Sequence, residues 1–305
     1  MTNQQAARRT EPAVSDIVMM DALALGRALR ARELSCVDVM NAYLDHIERF
    51  NPKVNAIISM RERKELIAEA TLRDEQLGRG EDLGPLHGMP QAIKDLAATK
   101  GIPTTQGSPI FKDNIPDADA LFVERMRNAG AVIIGKTNTP EFGLGSQTYN
   151  PLFGLTRNAY DQTKTSGGSS GGAAVALALR MLPVADGSDH GGSLRNPAAF
   201  NNVLGFRTSY GRVPHHHEDL FLTGLSVKGP MARTVADLQM LLSVQAGYDD
   251  RVPLSIADPH SYAVEQLKCD VKGKRIGWIG NYGNLPMEAG IRDLCRDALR
   301  TFEGM

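Results

Sequence analysis

Cysteine is scarce: Cys36, Cys269 and Cys295 are the only three in 305 residues. They show no metal-ligand spacing and leave one thiol necessarily unpaired, which argues against a disulfide scaffold or a zinc module and suits a reducing cytoplasm. Charge of one sign is not in excess either. The 34 Lys and Arg against 35 Asp and Glu give a formal net charge of -1, so nothing electrostatic points to nucleic acid or an anionic membrane as a direct partner. The longest mostly apolar run, Ala173 to Ala185, is interrupted by Arg180 and is too short to span a bilayer. A secretory leader is not expected, because Arg8-Arg9 is followed by Glu11 and Pro12 rather than by an apolar segment. The glycine runs lack the Lys-Ser/Thr of a phosphate loop, and no G-x-G-x-x-G occurs.

What is present is ordinary globular material. Hydrophobic residues make up 42% and charged residues 23%, at a length that buries a large core. Residues 1–15 are polar and read as a flexible N-terminal extension. The absence of repeats, low-complexity stretches and linkers favours one domain over 16–305. A helix is expected over about Met19–Arg30. Ser35 with Asp38 forms a capping box opening a second, with Val39, Tyr43, Ile47 and Phe50 on one face, ended by Asn51-Pro52. Residues 61–79 read as an exposed helix with interspersed charges. Gln91–Lys94 is a short strand that delivers Lys94 to its end. In 119–135 a helix is closed by Gly130 and followed by the strand Ala131–Ile134. The same order recurs in the helix Ala173–Arg180 and the strand Leu182–Ala185. Thr234 and Asp237 cap a helix running through Gln245 and ended by Gly247. Arg275–Ile279 is a further expected strand. The last helix, Gly290–Glu303, aligns Ile291, Leu294, Cys295, Ala298, Leu299 and Phe302 in one apolar stripe. Alternating helices and apolar strands imply an α/β fold with a mixed, largely covered central sheet flanked by helices.

The chemistry concentrates between Lys164 and Pro197. Two glycine-flanked serine sites occur there, Gly167-Gly168-Ser169-Ser170-Gly171-Gly172 and Gly191-Gly192-Ser193. Glycine permits positive φ and close approach, so both serines are expected in tight turns. A serine hydroxyl needs a base before it becomes a nucleophile, and His87, Lys94, Lys136 and His190 are the candidates near strand ends. From the residues alone, caps and turns account for these serines as well as catalysis does. His215-His216-His217 are adjacent residues of a loop and point in different directions, which weighs against a metal site, and no metal or other cofactor is expected.

The stretch resembles the amidase signature family, whose hallmark is a G-G-S-S-G-G block followed by G-S-D-x-G-G-S-[IL]-R-x-P-A-A. Here Gly167–Gly172 is followed by Gly187-Ser188-Asp189-His190-Gly191-Gly192-Ser193-Leu194-Arg195-Asn196-Pro197-Ala198-Ala199. Gly88–Asp95 resembles the family's lysine motif, Gly135–Phe142 its next block and Gly229–Thr234 a later one. The likeness extends over about residues 20–280, with the motifs in family order.

The resemblance implies a triad of Ser193 as acylated nucleophile, Ser169 as bridging serine after a cis Gly168-Ser169 peptide, and a neutral Lys94 as base. It implies an oxyanion hole from the backbone N–H groups of His190, Gly191, Gly192 and Ser193. Ser170 is expected to orient the turn, Asp189 and Arg195 to pair near the nucleophile, and Lys136 to support the fold. His190 and Asn201 depart from the residues usual at their positions. Family members run considerably further, so the C-terminal part of the family fold is expected to be absent. Three functions follow as expectations: a stand-alone amidase acting on a small carboxamide, the glutaminase subunit of a tRNA-dependent amidotransferase, or an inactive truncated remnant. A homodimer is left open.

Overall fold

The computed structural model describes residues 14–215, 225–257, 262–268 and 270–303. Most of the expected N-terminal extension, together with His216, His217 and Cys269, lies outside the described residues. The chain divides into two compact units between Val264 and Glu265.

In the first unit, Ser15 caps α1 (Asp16–Met19) by accepting the Ile17 N–H. The expected helix from Met19 is thus two helices, because Met20 and Asp21 are extended before α2 (Ala22–Arg30) begins. The Ser35–Asp38 capping box opens α3 (Cys36–Val54). This helix continues through Pro52 and ends on Asn55, which takes the left-handed conformation. The Asn51 side chain extends the stop by accepting the N–H groups of Ala56 and Ile57. Next come β1 (Ile57–Ile58), α4 (Arg63–Gly78), β2 (Pro90–Lys94), α5 (Leu121–Asn128) and β3 (Val132–Thr137). β3 is central in a three-stranded sheet, antiparallel to β1 and parallel to β2.

After a small hairpin, β4 (Tyr149–Asn150) and β5 (Gly154–Leu155), the chain forms α6 (Gly171–Ala178), β6 (Ala185–Asp189), α7 (Arg195–Phe200), β7 (Leu204–Gly205), β8 (Val227–Ala232) and α8 (Val235–Gln245). β8 is central in a second three-stranded sheet and antiparallel to both neighbours. The two sheets meet where the Lys94 N–H at the end of β2 donates to the Asp186 carboxylate of β6 at 3.2 Å. Every residue of β2, β3 and β6 is buried, and Ile93, Val132 and Ile133 share one core with Phe122 of α5 and Ala173–Leu177 of α6. The fold is therefore mixed α/β, with β2, β3 and β6 covered.

One strand is displaced from its expected place. Leu182–Ala185 attracts by its apolar residues, but Pro183 has no N–H to offer a ladder. The strand is instead the polar run Ala185–Asp189, which pairs with β8 from Ala185 opposite Met231 to Asp189 opposite Val227.

In the second unit α9 (Ile291–Ala298) passes into a 3-10 turn, Leu299–Phe302. The expected strand at Arg275–Ile279 is not formed. A strand needs a partner for its backbone groups, and among the described residues of this unit there is no other strand. Ile291, Leu294 and Phe302 of the expected stripe are exposed.

α2 receives its N-terminal cap from far along the chain. Asp21 makes no capping bond with its side chain, whereas the buried Asp237 carboxylate of α8 accepts the Ala22 and Leu23 N–H groups at 3.2 and 2.9 Å. Half of the expected capping box is present, Asp237 N–H to Thr234 Oγ1 at 3.1 Å, but the Asp237 side chain serves the other helix. Asp237→Ala is expected to destabilise the fold by about 2 kcal/mol, since it strips a cap and leaves buried donors unpaired. Urea or thermal unfolding measures this, and a loss under about 0.5 kcal/mol would show that α2 caps itself.

Candidate active site

Lys94 ends β2 with its side chain enclosed, 1% exposed. Its Nζ lies 2.7 Å from Ser169 Oγ, 2.8 Å from Ser170 Oγ and 3.0 Å from Ser188 Oγ. Three elements converge on this point: β2 brings the amine, the entry to α6 brings Ser169 and Ser170, and β6 brings Ser188. Burial pulls the Lys94 amine well below the ordinary lysine range, and the nearby Lys228 ammonium adds to this. Asp186 and Asp189 act in the opposite direction. Burial also pushes the Asp186 carboxyl up, to about 6.

The serine turn is shaped by backbone contacts. The Gly168-Ser169 peptide is cis. A Cβ on Gly172 would meet the Asn138 backbone nitrogen at 2.4 Å, so α6 seats against residue 138 only with glycine there. Residues 167–171 have the letters of a G-x-S-x-G nucleophile elbow, but Ser169 enters its helix from a loop, without the preceding strand an elbow requires. Asn201 fastens the approach to this turn, donating to Ser166 O at 2.8 Å and Pro197 O at 2.9 Å and accepting the Ala159 N–H.

Ser193 sits in a second turn, tied to the first by the Ser170 N–H donating to Ser193 O at 3.2 Å. The fully buried Asp189 carboxylate organises it. Asp189 accepts the N–H groups of Gly192 (2.8 Å) and Leu194 (3.1 Å), the Arg195 guanidinium (3.0 Å) and the Arg207 guanidinium (2.8 Å). These bonds overcome its burial and hold its pKa well below the carboxylate range. They also correct one expectation. The Gly192 N–H already donates to a carboxylate and is not available to an oxyanion. The N–H groups of His190, Gly191 and Ser193 have no acceptor among the described residues. Ser169, Ser188, His190, Gly191 and Ser193 line one cleft of about 410 Å³, whose other wall includes Leu96, Phe142 and Leu144.

Of the other candidate bases, His190 lines the cleft itself, while His87 and Lys136 stand elsewhere. His87 accepts the Leu83 N–H at Nδ1 and therefore donates from Nε2 to Arg73 O, so both ring nitrogens are engaged. Lys136 is opposite Ile93 in the parallel pair, hence on the other face of the sheet from Lys94. Its Nζ bonds Ala97 O (2.6 Å), Thr99 Oγ1 (2.7 Å) and Thr104 Oγ1 (3.1 Å), and burial draws it down to about 8. Among the described residues no cluster of His, Cys, Asp and Glu could hold a metal ion.

Sequence reasoning missed Ser188, Asp186, Arg207 and Lys228. Only Ser188 left a signal, as the serine of Gly187-Ser188-Asp189 beside the glycine turn.

Residues 38–305 match the family model described as Amidase. The chain belongs to the amidase family. Among curated amidase-family relatives, the A subunit of the glutamyl-tRNA(Gln) amidotransferase of Carboxydothermus hydrogenoformans is 40% identical over 291 residues, covering 95% of this chain and 60% of that protein. An acylamidase of Rhodococcus erythropolis is 38% identical, covering 93% and 59%. Among solved structures, a bacterial aryl acylamidase of the amidase signature family superposes with a TM-score of 0.88 at 34% identity, over 94% of this chain and 60% of that one. The peptide amidase of Stenotrophomonas maltophilia superposes with a TM-score of 0.72 at 33% identity, over 81% and 52%. The chain thus spans about 60% of the length of the curated amidase-family relatives it matches.

Lys136→Met is expected to cost roughly 3 kcal/mol, because it leaves a buried carbonyl and two buried hydroxyls without their donor. Thermal unfolding should fall accordingly. A stability unchanged from wild type would mean that the site repacks around the loss.

Proposed function

We propose that this chain hydrolyses a carboxamide by acyl transfer, with Ser193 as nucleophile, Ser169 as bridge and Lys94 as base, giving R-CO-NH2 + H2O → R-COOH + NH3. The observation that carries the reading is the enclosed Lys94 amine at 2.7 Å from Ser169 Oγ, in a cleft that Ser193 shares.

A count of protons orders the relay. Ser170 donates its single hydroxyl proton to Ser188 O at 3.3 Å, so it accepts from Lys94. A neutral amine has two N–H bonds and one lone pair. With Ser170 and Ser188 accepting the two N–H bonds, the lone pair faces Ser169, whose hydroxyl donates to it. As Ser193 Oγ attacks the amide carbon, its proton passes to Ser169 Oγ while the Ser169 proton passes to Lys94. The oxyanion that forms is received by the N–H groups of His190, Gly191 and Ser193, each worth about 10²–10³ in rate at sites of this kind. Return of the proton through Ser169 to the leaving nitrogen breaks the C–N bond and leaves an ester on Ser193. Water then attacks that ester with the same relay as base, releasing the acid and restoring the serine. No cofactor takes part.

The leaving group and acyl chain are read from the cleft. Leu96, Phe142 and Leu144 favour an apolar acyl or aryl amide, in line with acylamidase and aryl acylamidase relatives. The second reading is the glutaminase subunit of a tRNA-dependent amidotransferase, working with partner subunits. It is favoured by the 40% identity to such a protein. Ammonia release from a panel of apolar amides with glutamine included separates the two. The setting we assign is the cytoplasm, where the thiols remain reduced; no described helix is long and apolar enough to cross a membrane.

A fluorophosphonate probe is expected to label Ser193, and Ser193→Ala to lose both labelling and turnover with its melting temperature retained. Persistent labelling in Ser193→Ala would remove the nucleophile assignment. Because Lys94 acts as the free base, kcat/KM should rise with pH as its proton leaves and then level off, with the limb below the ordinary lysine range. Lys94→Ala should lose about 10²–10⁴ in rate. A rate that falls across the same pH interval would contradict the base.

A further inference from the structure

β8 runs antiparallel to β6 and sets Lys228 directly opposite Ser188. Residues opposite one another in such a pair project from the same face. On that face Ser188 Oγ meets Lys94 Nζ at 3.0 Å, and Asp186, two residues back, binds the Lys94 backbone N–H. Lys228 is partly buried, and no side chain among the described residues forms a hydrogen bond or ion pair with its ammonium. The acyl-transfer relay makes no use of it.

The charged groups that face the relay can be named from each element. β6 carries Asp186 and Asp189, β8 carries Lys228, and β3 carries Lys136 on the opposite face, where it still acts on Asp186. Asp189 is already paired with Arg195 and Arg207, and His190 lies at the cleft wall. Asp186 is therefore the carboxylate near Lys94 that has no guanidinium of its own. Left uncompensated, it would favour an ammonium at Lys94 and remove the base. Lys228 is the cation placed on the same face to oppose it. Two amines in one low-dielectric site do not both keep their protons cheaply, and the more enclosed one yields first. Lys94, at 1% exposure, is the more enclosed.

We propose that Lys228 is a positioning residue for the proton relay: its ammonium offsets the Asp186 carboxylate across the β6–β8 pair and leaves Lys94 as the amine without a proton. This rests on the acyl-transfer reading. The test measures two pH profiles on the full chain, the rate of fluorophosphonate labelling of Ser193 and kcat/KM for an amide the enzyme turns over. Each profile is scaled to its own plateau. Lys228→Met and Lys228→Gln are expected to move the acid limb upward by about one pH unit, a tenfold fall below the limb, and Lys228→Arg to restore it. An unmoved or lowered limb in both neutral variants overturns the proposal. So does a rise in KM with the limb in place, which would make Lys228 a substrate contact. The labelling profile keeps the test open even where turnover is slow. Absence of labelling in wild type would overturn the acyl-transfer reading together with this one, whereas labelling with an unmoved limb overturns the role of Lys228 alone.

Discussion

Enclosing the Lys94 amine in protein removes the water that stabilises an ammonium, and three serine hydroxyls at 2.7 to 3.0 Å take its place. Hydroxyls satisfy the hydrogen-bonding capacity of either protonation state, but they supply no negative charge. Loss of solvation then weighs most against the ammonium, with Lys228 adding to it and Asp186 and Asp189 acting the other way. This constraint explains why a strand end, a helix entry and a second strand must meet at one point, and why that point lies where β2 and β6 join the two sheets. A shift of any of these elements would readmit water or leave a buried hydroxyl unpaired, and either change alters the amine.

A second buried charge has the opposite character. Asp189 is fully enclosed, yet it accepts two backbone N–H groups and pairs with two guanidinium groups, so its ionised form is the stable one. Its folded pKa is depressed, so its contribution to stability is complete above the ordinary carboxylate pKa and is lost only as pH falls through the depressed value. The turn that carries Ser193 is thus held by a charge that persists in mild acid, while burial draws the Lys94 amine toward its neutral form. One buried carboxylate shapes the backbone, and one buried amine lies among serine hydroxyls. The Gly192 N–H shows the consequence of this division, since a donor that shapes the turn no longer faces the cleft.

Much of the frame was legible in the residues. The Ser35–Asp38 capping box, the αβ unit closed by Gly130 and the short strand ending on Lys94 all appear where local patterning puts them. These features depend on neighbours within a few positions, which a single chain displays. Where patterning failed, the deciding partner was remote. Ala185–Asp189 is a strand despite its polar residues because β8 lies beside it, and Arg275–Ile279 is not one because its own unit offers no strand to pair with. Asp237 looks like half of a local cap, yet its carboxylate closes a helix 214 residues earlier.

The same boundary runs through the site. Glycine spacing marked the two turns that carry Ser169 and Ser193, and only the resemblance to the amidase signature motifs added Lys94 as the expected base. Residue types could not choose among His87, Lys94, Lys136 and His190 on physical grounds, since all four are basic residues near strand ends. The tertiary structure separates them: Lys136 lies on the other face of the sheet with three acceptors and both nitrogens of His87 are in backbone bonds, while Lys94 lies against the serine hydroxyls and His190 on the cleft wall. It alone joined Asp186 and Ser188 to Lys94, across 92 and 94 residues of chain, and set Lys228 opposite Ser188. Desolvation and hydrogen-bond partnership belong to positions in space, and only the folded chain assigns those.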